Sequence, residues 1–434
     1  MIEIFSIFLH LLVITIFCYP TKILADLFNK EEKNFIQRLE IGIVINIFLL
    51  LLLSLFYRKN LSIILYFGLF LFLFNLFHFI RDLIKSFKIK KIIISKEFIT
   101  LFLLVFIFSI NLSNNLKIGW DAQNYWLVKK LVFTNGGDIF DLQSTPMKSY
   151  PYLGSFLWFF YSKISISGHE YFGRIFYIFL FLISIFATLD ILNIEPIKKF
   201  LVTTTTVFLI YSLSLFNGYQ EVLIFSLTII LTKSFYKYLN FYKESNYFKG
   251  YFYFIAIICL SIILIKNDGL AIVLVFLFSL CFTKMIIKEK LNFLLIIFVI
   301  FFLKYTIFSY INLNNVLQED NYTNFTILKL LEFFNSQRLF LIIQYFFFAF
   351  LDNIIFLVGL IFLATLFKYY KNNIFFLFLL LCYLFSILFI FTAFFLTSYP
   401  IEFALKTAIH RLVFEVSAFF VILIPLFFNF ILKK

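Results

Sequence analysis

Long, almost uncharged apolar runs recur from one end of this 434-residue chain to the other, and they limit its possible folds more than any other feature. The chain is 63% hydrophobic and only 14% charged, and its mean hydropathy is +1.01. Such a composition is typical of proteins that have the lipid bilayer as their solvent. Because the bilayer core offers no water to backbone polar groups, runs of this kind cross it as helices. We therefore expect an all-α, polytopic membrane protein.

The apolar runs predict about thirteen transmembrane helices. One further run, residues 152–166, is too short to cross, because at about 1.5 Å per residue it extends only about 22 Å against a hydrocarbon core of about 30 Å. We predict that it forms a short helix lying at the membrane interface. The predicted spans are residues 2–18, 41–57, 61–80, 98–114, 175–193, 199–216, 221–239, 250–265, 270–283, 291–311, 340–366, 374–396 and 410–431.

The distribution of basic residues predicts the orientation of these helices. Segment 81–97 is rich in lysine and arginine, which indicates a cytoplasmic loop. The polar interval 113–174 follows one helix later and is then outside. If residues 152–166 do not cross, the later short lysine-bearing loops are all inside, and every polar cluster that interrupts the apolar pattern is outside. The N-terminus is then outside and the C-terminus inside.

The net charge of +14 does not indicate a nucleic-acid partner. The lysines lie in short loops beside helix ends, where they orient helices and contact anionic lipid headgroups. We expect membrane lipids as partners and no nucleic acid. We divide the chain into an accessory unit of transmembrane helices, residues 1–97, and a catalytic unit, residues 98–434, whose first outer loop is 113–174.

Asp121 is the most conspicuous polar residue of the outer loop, because it directly follows an apolar segment and lies between aromatic rings. An ionisable group in that position is a candidate functional residue. Two alternatives stay open. The loop can be a solvated connection whose tryptophans belong to the interfacial aromatic belt, and Asp121 can be a helix N-cap.

Five short motifs occur in order between residues 98 and 431, and together they resemble the bacterial membrane glycosyltransferases of the GT-C type, the superfamily that includes protein mannosyltransferases and lipid A aminoarabinose transferases. The resemblance implies that an acid of the first outer loop, here Asp121, lies at the catalytic centre. It also implies that the sugar comes from a polyprenyl-phosphate carrier. The chain departs from the usual pattern at Glu221 and at Asp268, where the charge is kept but its reach changes by one methylene. The motifs are Trp120-Asp121-Ala122 with Tyr125, Trp126 and Lys129, then Tyr150-Pro151 with Gly154, then 218–221 (Gly-Tyr-Gln-Glu), 266–269 (Lys-Asn-Asp-Gly) and His410-Arg411.

The chemistry of sugar transfer fits these residue types. A base must take the proton of the acceptor hydroxyl, and cations must hold the leaving phosphate. We predict that Asp121 is the base and that Arg411 binds the donor phosphate, because the arginine fork matches phosphate oxygens in a bidentate way. Lys266 and Arg174 are the next candidates for the phosphate. The alternative for Lys266 is that it pairs with Asp268 across the break between two apolar runs. The alternative for Arg411 is that it extends toward the interface from a helix end.

The remaining candidate substrate contacts are less specific. Glu221 begins a helix, where the helix dipole favours an acid, so a structural role is an equal alternative. Asp121 and Glu221 could bind a divalent cation through oxygen, but no metal site is predicted and no cofactor is certain. The loop 312–338 is a candidate lid. The other predicted substrate-binding residues are Asp268, His410, Tyr150, Trp126 and Lys129.

The sequence thus predicts an inverting glycosyltransferase with a polyprenyl-phosphate-linked donor and a lipid, glycan or protein acceptor. Its site would lie on the outer face of a bacterial inner membrane. Two alternatives stay open: a transporter or flippase of a lipid-linked glycan, and a polymerase or ligase of surface glycans. A transporter would have broken helices and paired, symmetry-related halves.

Overall fold

The computed structural model describes residues 2–20, 35–57, 59–89, 96–165, 167–192, 196–241, 247–313, 336–370, 373–397 and 400–432, and within these ranges the fold is all-helical with seventeen α-helices. Short turns of other helix types join some of them: the π-helical turn Ala122–Trp126 and the 3₁₀ turns Asp141–Ser144, Thr188–Ile191, Leu213–Phe216 and Ala418–Phe420. The α-helices are α1 (Ile2–Phe17), α2 (Phe35–Phe56), α3 (Leu61–Ile89), α4 (Lys96–Asn114), α5 (Leu127–Thr134), α6 (Leu153–Lys163), α7 (Tyr171–Ala187), α8 (Pro196–Ile210), α9 (Glu221–Phe241), α10 (Tyr247–Ile265), α11 (Asp268–Cys281), α12 (Ile287–Tyr310), α13 (Ser336–Asp352), α14 (Ile354–Tyr370), α15 (Ile374–Leu396), α16 (Ile401–Ser417) and α17 (Leu423–Leu432).

Six helices of the described chain are long and apolar enough to cross a membrane, namely α2, α3, α4, α9, α12 and α15. The number rises to eight if the bent pairs α13–α14 and α16–α17 each count as one span. These helices mark an integral, multi-pass membrane protein. The prediction of about thirteen spans was therefore too high.

The excess in the prediction comes from helices that are apolar but short. Within the described residues each of the thirteen apolar runs is largely helical, yet α1, α7, α10 and α11 have at most 17 residues in their apolar parts and α8 has 15. The clearest case is α7, in which all 17 side chains are buried within the protein. Its apolar composition serves packing against α2, α4, α6 and α9. Hydropathy alone does not distinguish a helix enclosed by other helices from one that crosses lipid.

The segment predicted to be a non-spanning helix in the outer loop is α6, and it is absent from the candidate spans. Its position differs from the prediction. The side chains from Leu153 to Ser162 are all buried, and α6 packs between α5 and α7 with further contacts to α2 and α10. A helix lying on the membrane surface would leave one face exposed, so α6 is an internal helix of the bundle.

Two segments predicted as single spans are broken. The run 340–366 consists of α13 and α14, whose axes meet at 88°. Asn353 lies at the corner, and its Oδ1 accepts a hydrogen bond of 2.9 Å from the backbone N–H of Phe356, which caps α14. The run 410–431 consists of α16 and α17, bent by 42°. Since α16 already begins at Ile401, Arg411 lies in the middle of a helix and not at its end.

A buried ion pair joins the N-terminal helices to the rest of the chain. Lys233 of α9 donates a hydrogen bond of 2.5 Å to Glu40 of α2, and only 5% and 6% of these side chains are exposed. Helix α2 also contacts α6, α7 and α10. The segment predicted to be accessory, residues 1–97, therefore packs directly on residues 98–434, and its accessory role stays a prediction.

Replacing Lys233 alone by methionine should lower the free energy of unfolding by about 3–5 kcal/mol, because the buried Glu40 carboxylate loses its ion pair with the Lys233 ammonium. The double variant Glu40→Met with Lys233→Met should recover most of that loss, since no buried charge is left. Thermal unfolding of the purified protein in detergent measures both. A double variant as unstable as the single one would contradict this account.

Candidate functional site

Six charged side chains from distant parts of the sequence meet at one end of the helical bundle, and we call them the charged cluster. Asp121 precedes the π-helical turn, Glu221 begins α9, and Asp268 begins α11. Helix α16 contacts both α9 and α11, and α10, which ends just before Lys266, also contacts both of them. The members are Asp121, Glu221, Lys266, Asp268, Arg411 and Glu415.

Two glycines allow the outer loop to reach α9 so closely. A Cβ on Gly119 would lie 2.3 Å from ring carbons of Tyr219, and the Gly119 N–H donates to the carbonyl of Asn217 at 2.8 Å. Gly218 has φ of +86°, a backbone conformation that favours glycine. These two positions bring Asp121 and Tyr219 to the same place. The side chain of Asp121 makes no capping hydrogen bond, so the N-cap alternative does not hold.

Arg411 connects Asp121 and Glu221. Its Nη1 donates to the Asp121 carboxylate and, at 3.3 Å, to Glu221 Oε1. Its Nε donates to the carbonyl of Thr407 at 3.0 Å. The Tyr219 ring lies 5.5 Å from the guanidinium carbon, close enough for a cation–π interaction. Only Nη2 makes no hydrogen bond within the described ranges, so the predicted bidentate contact to a phosphate would require Arg411 to release one of its present partners.

Lys266 is the centre of the cluster. Its ammonium donates to Glu221 Oε1 at 3.0 Å and to Glu415 Oε1 at 3.1 Å, and it also forms an ion pair with Asp268. Burial lowers the pKa of Lys266, but Asp268, Glu221 and Glu415 together raise it well above its usual value. Lys266 therefore stays charged and holds carboxylates. This arrangement is at odds with the predicted contact to a donor phosphate.

Two members of the site were not predicted from the sequence. Glu415 is completely buried on α16, one turn beyond Arg411. Its signal was visible, because an acid inside the apolar run 410–431 is expensive unless it is paired. The second is Tyr219, whose ring covers Arg411. Burial raises the pKa of its hydroxyl, and the negative charge of Asp121 raises it further.

A cavity of about 430 Å³ lies beside Arg411, and we call it the charged cavity. Glu221, Tyr219 and Arg411 line one side, and the corner between α13 and α14 lines the other. His410 also lines it, with Nδ1 3.7 Å from Oδ2 of Asp352 and more than half of both side chains exposed. Asp121 is not among the lining residues and reaches the cavity through its contact with Arg411.

A second cavity of about 450 Å³, which we call the apolar groove, runs along α8 from Lys198 to Leu209. Side chains of α8, α14 and α17 line it. It shares Leu209 and Ile355 with the charged cavity, so the two spaces are adjacent. The remaining lining residues are Leu201, Val202, Thr205, Thr206, Val358, Phe362, Ile424 and Phe428.

Arg174 does not lie at the charged cavity, contrary to the prediction that it holds a phosphate. It is completely buried, and its Nε and Nη2 each donate to Glu170 at 2.9 Å. Its Nη1 donates at 3.1 Å to the carbonyls of Lys117 and of Phe216. Arg174 thus joins α7 to the two loops that carry Asp121 and Tyr219, and no N–H is left for a ligand.

Three predicted substrate contacts, Trp126, Lys129 and Tyr150, instead fold the outer loop onto itself. Lys129 is completely buried and donates to the carbonyls of Met147 at 2.9 Å and Tyr150 at 2.5 Å. The Tyr150 ring stacks on Tyr125 and meets the buried Trp126 edge-on at 5.6 Å. None of the three lines the charged cavity.

No group of three or more acidic, histidine or cysteine side chains in the described residues has the geometry of a metal site. Asp121 and Glu221, the pair considered for a divalent cation, both contact Arg411 instead. Most of the predicted lid, residues 314–335 of the loop 312–338, lies outside the described residues.

Comparisons of the chain with protein-family models, with curated proteins and with solved structures find no match in any of the three. The resemblance to GT-C-type glycosyltransferases therefore depends on the motif residues alone.

Replacing Arg174 by alanine should lower the free energy of unfolding by about 3–5 kcal/mol, because buried groups of three segments lose their partner. Lysine at this position should recover only part of the loss, since it cannot replace a planar fork. Arg411→Ala is the matched control. That side chain is 29% exposed, and Glu221 keeps Lys266, so its loss of stability should be smaller. Thermal unfolding compares the three variants, and equal losses for the two alanine variants would contradict the assignment.

Proposed function

We propose that this protein is an inverting membrane glycosyltransferase that takes a sugar from a polyprenyl-phosphate-linked donor. One observation supports it above the others: Asp121 contacts Arg411 beside a cavity that adjoins an apolar groove. An acid for proton transfer, a cation for phosphate and a site for a lipid chain are thus adjacent. The acceptor would be a lipid, a glycan or a protein at the outer face of a bacterial inner membrane.

The apolar groove supports the lipid part of the donor. Eleven residues separate Lys198 from Leu209 along α8, which corresponds to about 17 Å at the rise of an α-helix. The wall is almost entirely apolar, and each CH₂ group that leaves water contributes about 0.8 kcal/mol. A prenyl chain in the groove would place its phosphate near Leu209 and Ile355, where the charged cavity begins.

The donor phosphate would bind at the charged cavity. Arg411 offers the N–H of Nη2, and His410 is exposed at the rim. A phosphate that also takes Nη1 of Arg411 would remove the cation from Asp121. The Asp121 carboxylate would then be a better proton acceptor, so binding of the donor would prepare the base.

The reaction would proceed by direct displacement at the anomeric carbon. The acceptor hydroxyl oxygen forms a bond to that carbon while the bond from the carbon to the phosphate oxygen breaks, and the hydroxyl proton passes to Asp121. The electron pair of the broken bond stays on the phosphate, where Arg411 stabilises it. The Asp121 side chain is 24% exposed, which leaves room for an acceptor.

A transporter or flippase of a lipid-linked glycan is the second candidate, and one observation favours it. The corner between α13 and α14, an 88° break, lines the charged cavity through Asp352 and Asn353. Broken helices at a substrate site are typical of secondary transporters. If a labelled lipid-linked glycan moves from one leaflet of a proteoliposome membrane to the other and is itself chemically unchanged, this candidate is supported over the enzyme.

Asp121→Asn should lower the rate of sugar transfer by about 10²–10⁴-fold, because the amide cannot accept the acceptor proton. The assay measures release of polyprenyl phosphate from a panel of polyprenyl-phosphate hexoses and pentoses in lipid nanodiscs. Asp141→Asn is the matched control. This acid of the same outer loop forms an ion pair with Lys59 at 2.7 Å, away from the cavity, and the variant should keep its activity. Full activity of Asp121→Asn would rule out Asp121 as the base.

A short-chain polyprenyl phosphate should raise the Tm of the wild-type protein, whereas the neutral polyprenol should raise it less. Arg411→Ala should weaken binding of the phosphate by about 10-fold to 100-fold, the loss expected for a hydrogen bond to a charged group. Thr205→Trp, which fills the apolar groove, should weaken binding of both lipids. If Thr205→Trp binds both lipids as the wild type does, the groove is not the lipid site.

A further inference from the structure

The inner part of the charged cluster contains more acid than base. Glu221, Lys266 and Glu415 are 5%, 8% and 0% exposed. Two carboxyl groups therefore share a single ammonium in a region that is largely shielded from water. A buried charge without a full partner is costly, so this group is expected to bind a compensating positive charge.

No other cation of the described chain contacts Glu415. Arg411, on the same helix, is directed to Asp121 and Glu221. Asp268 faces the pair from α11 and adds negative charge, although 32% of it is exposed. Lys304 of α12 donates to Asn267 at 3.3 Å. On the exposed side of α16, His410 pairs with Asp352 and not with Glu221 or Glu415.

The hydrogen bonds of the two glutamates indicate where a compensating positive charge would bind. In each of them Oε1 accepts from the Lys266 ammonium, while Oε2 is buried and has no hydrogen-bond partner within the described ranges. Because both Oε1 atoms contact one nitrogen, the two carboxyl groups are neighbours. Two neighbouring carboxylates that are shielded from water cannot both ionise without a large cost.

We propose that Glu221 and Glu415 bind one proton between them, so that the inner part of the charged cluster is electrically neutral. The pair then consists of one carboxylic acid and one carboxylate, and the proton comes from water. Its O–H supplies the donor that the unpaired carboxylate oxygen lacks. The proton belongs to the pair and not to one residue. This proposal does not depend on glycosyl transfer.

The proton would set the charge that Arg411 experiences. When the pair holds it, Glu221 competes weakly for the guanidinium, and Arg411 stays on Asp121. When the proton leaves, the additional negative charge at Glu221 attracts Arg411 away from Asp121. The pair would thus couple pH to the contact between Asp121 and Arg411, and Glu415 would act as a positioning residue through Lys266 and Glu221.

Infrared spectroscopy of the protein in lipid nanodiscs tests the proposal. At neutral pH the wild type should show the C=O stretch of a protonated carboxylic acid, which shifts in D₂O and disappears as the pH rises. Both Glu415→Gln and Glu221→Gln should abolish the band, because the acid that stays then shares the Lys266 ammonium with no second buried carboxyl group and ionises. Glu402→Gln changes an exposed acid of the same helix and should leave the band unchanged.

The outcomes are separable. A wild type without the band, or a band that neither single variant changes, would overturn the proposal. A band lost only in Glu415→Gln would also overturn it, because the proton would then belong to an isolated acid. If sodium chloride raises the Tm and choline chloride does not, while the band is absent, the compensating charge is a sodium ion and not a proton.

The pH dependence of stability gives a second readout. A folded state that binds a proton which the unfolded state has released loses stability as the pH rises. The Tm of the wild type should therefore fall between neutral and alkaline pH more steeply than that of Glu415→Gln. Parallel Tm curves for the two proteins would contradict the proposal, whatever the absolute stability of the variant.

Discussion

The ammonium of Lys266 holds together the end of the bundle where the candidate site lies. It contacts carboxylates from the start of α9, the start of α11 and the last turn of α16, and it lies at the end of α10. Apolar packing supplies most of the contact between these helices, but it is not directional and would tolerate small rotations. One buried cation with three acids fixes how the four helices are rotated and how far each extends. Arg411, on one of these helices, then fixes the position of Asp121 in the loop 113–174 through its contact with the Asp121 carboxylate.

The secondary structure was largely predictable, whereas its relation to the membrane was not. In the described residues the apolar runs form helices, two of them as bent pairs, because such runs have no other way to satisfy their backbone in an apolar environment. Hydropathy could not show that the side chains of α7 contact other helices instead of lipid, so the number of spans was overestimated. The corner at Asn353 was also missed, because a single asparagine in a long apolar run can either cap a helix or face a neighbour.

The candidate site was partly predictable. Acids and bases that interrupt apolar runs are costly, so Asp121, Glu221, Lys266 and Arg411 stood out, and the structure brings them together. Apart from the pair of Lys266 and Asp268, their partners could not be predicted, because spacing along a chain does not show which charges satisfy one another. Arg174 has the residue type suited to phosphate, yet all its donors bind Glu170 and loop carbonyls. Glu415 was overlooked because it lies in a strongly apolar segment. An acid in such a segment is costly unless it is paired, so this position could have marked Glu415 as a candidate.

The apolar groove along α8 has a consequence for how a ligand is selected. Leu201 and Leu209 of its wall are exposed on the side of the helix, so a long-chain occupant would arrive by lateral diffusion within the leaflet. Its effective concentration would then be set by its mole fraction among the lipids. Even for a minor lipid, that concentration in the leaflet far exceeds the concentration of the lipid in water. A headgroup site with few donors, such as Arg411 with the two N–H groups of Nη2, suffices under those conditions. Discrimination between lipids would depend on chain fit and on how quickly each one leaves the groove.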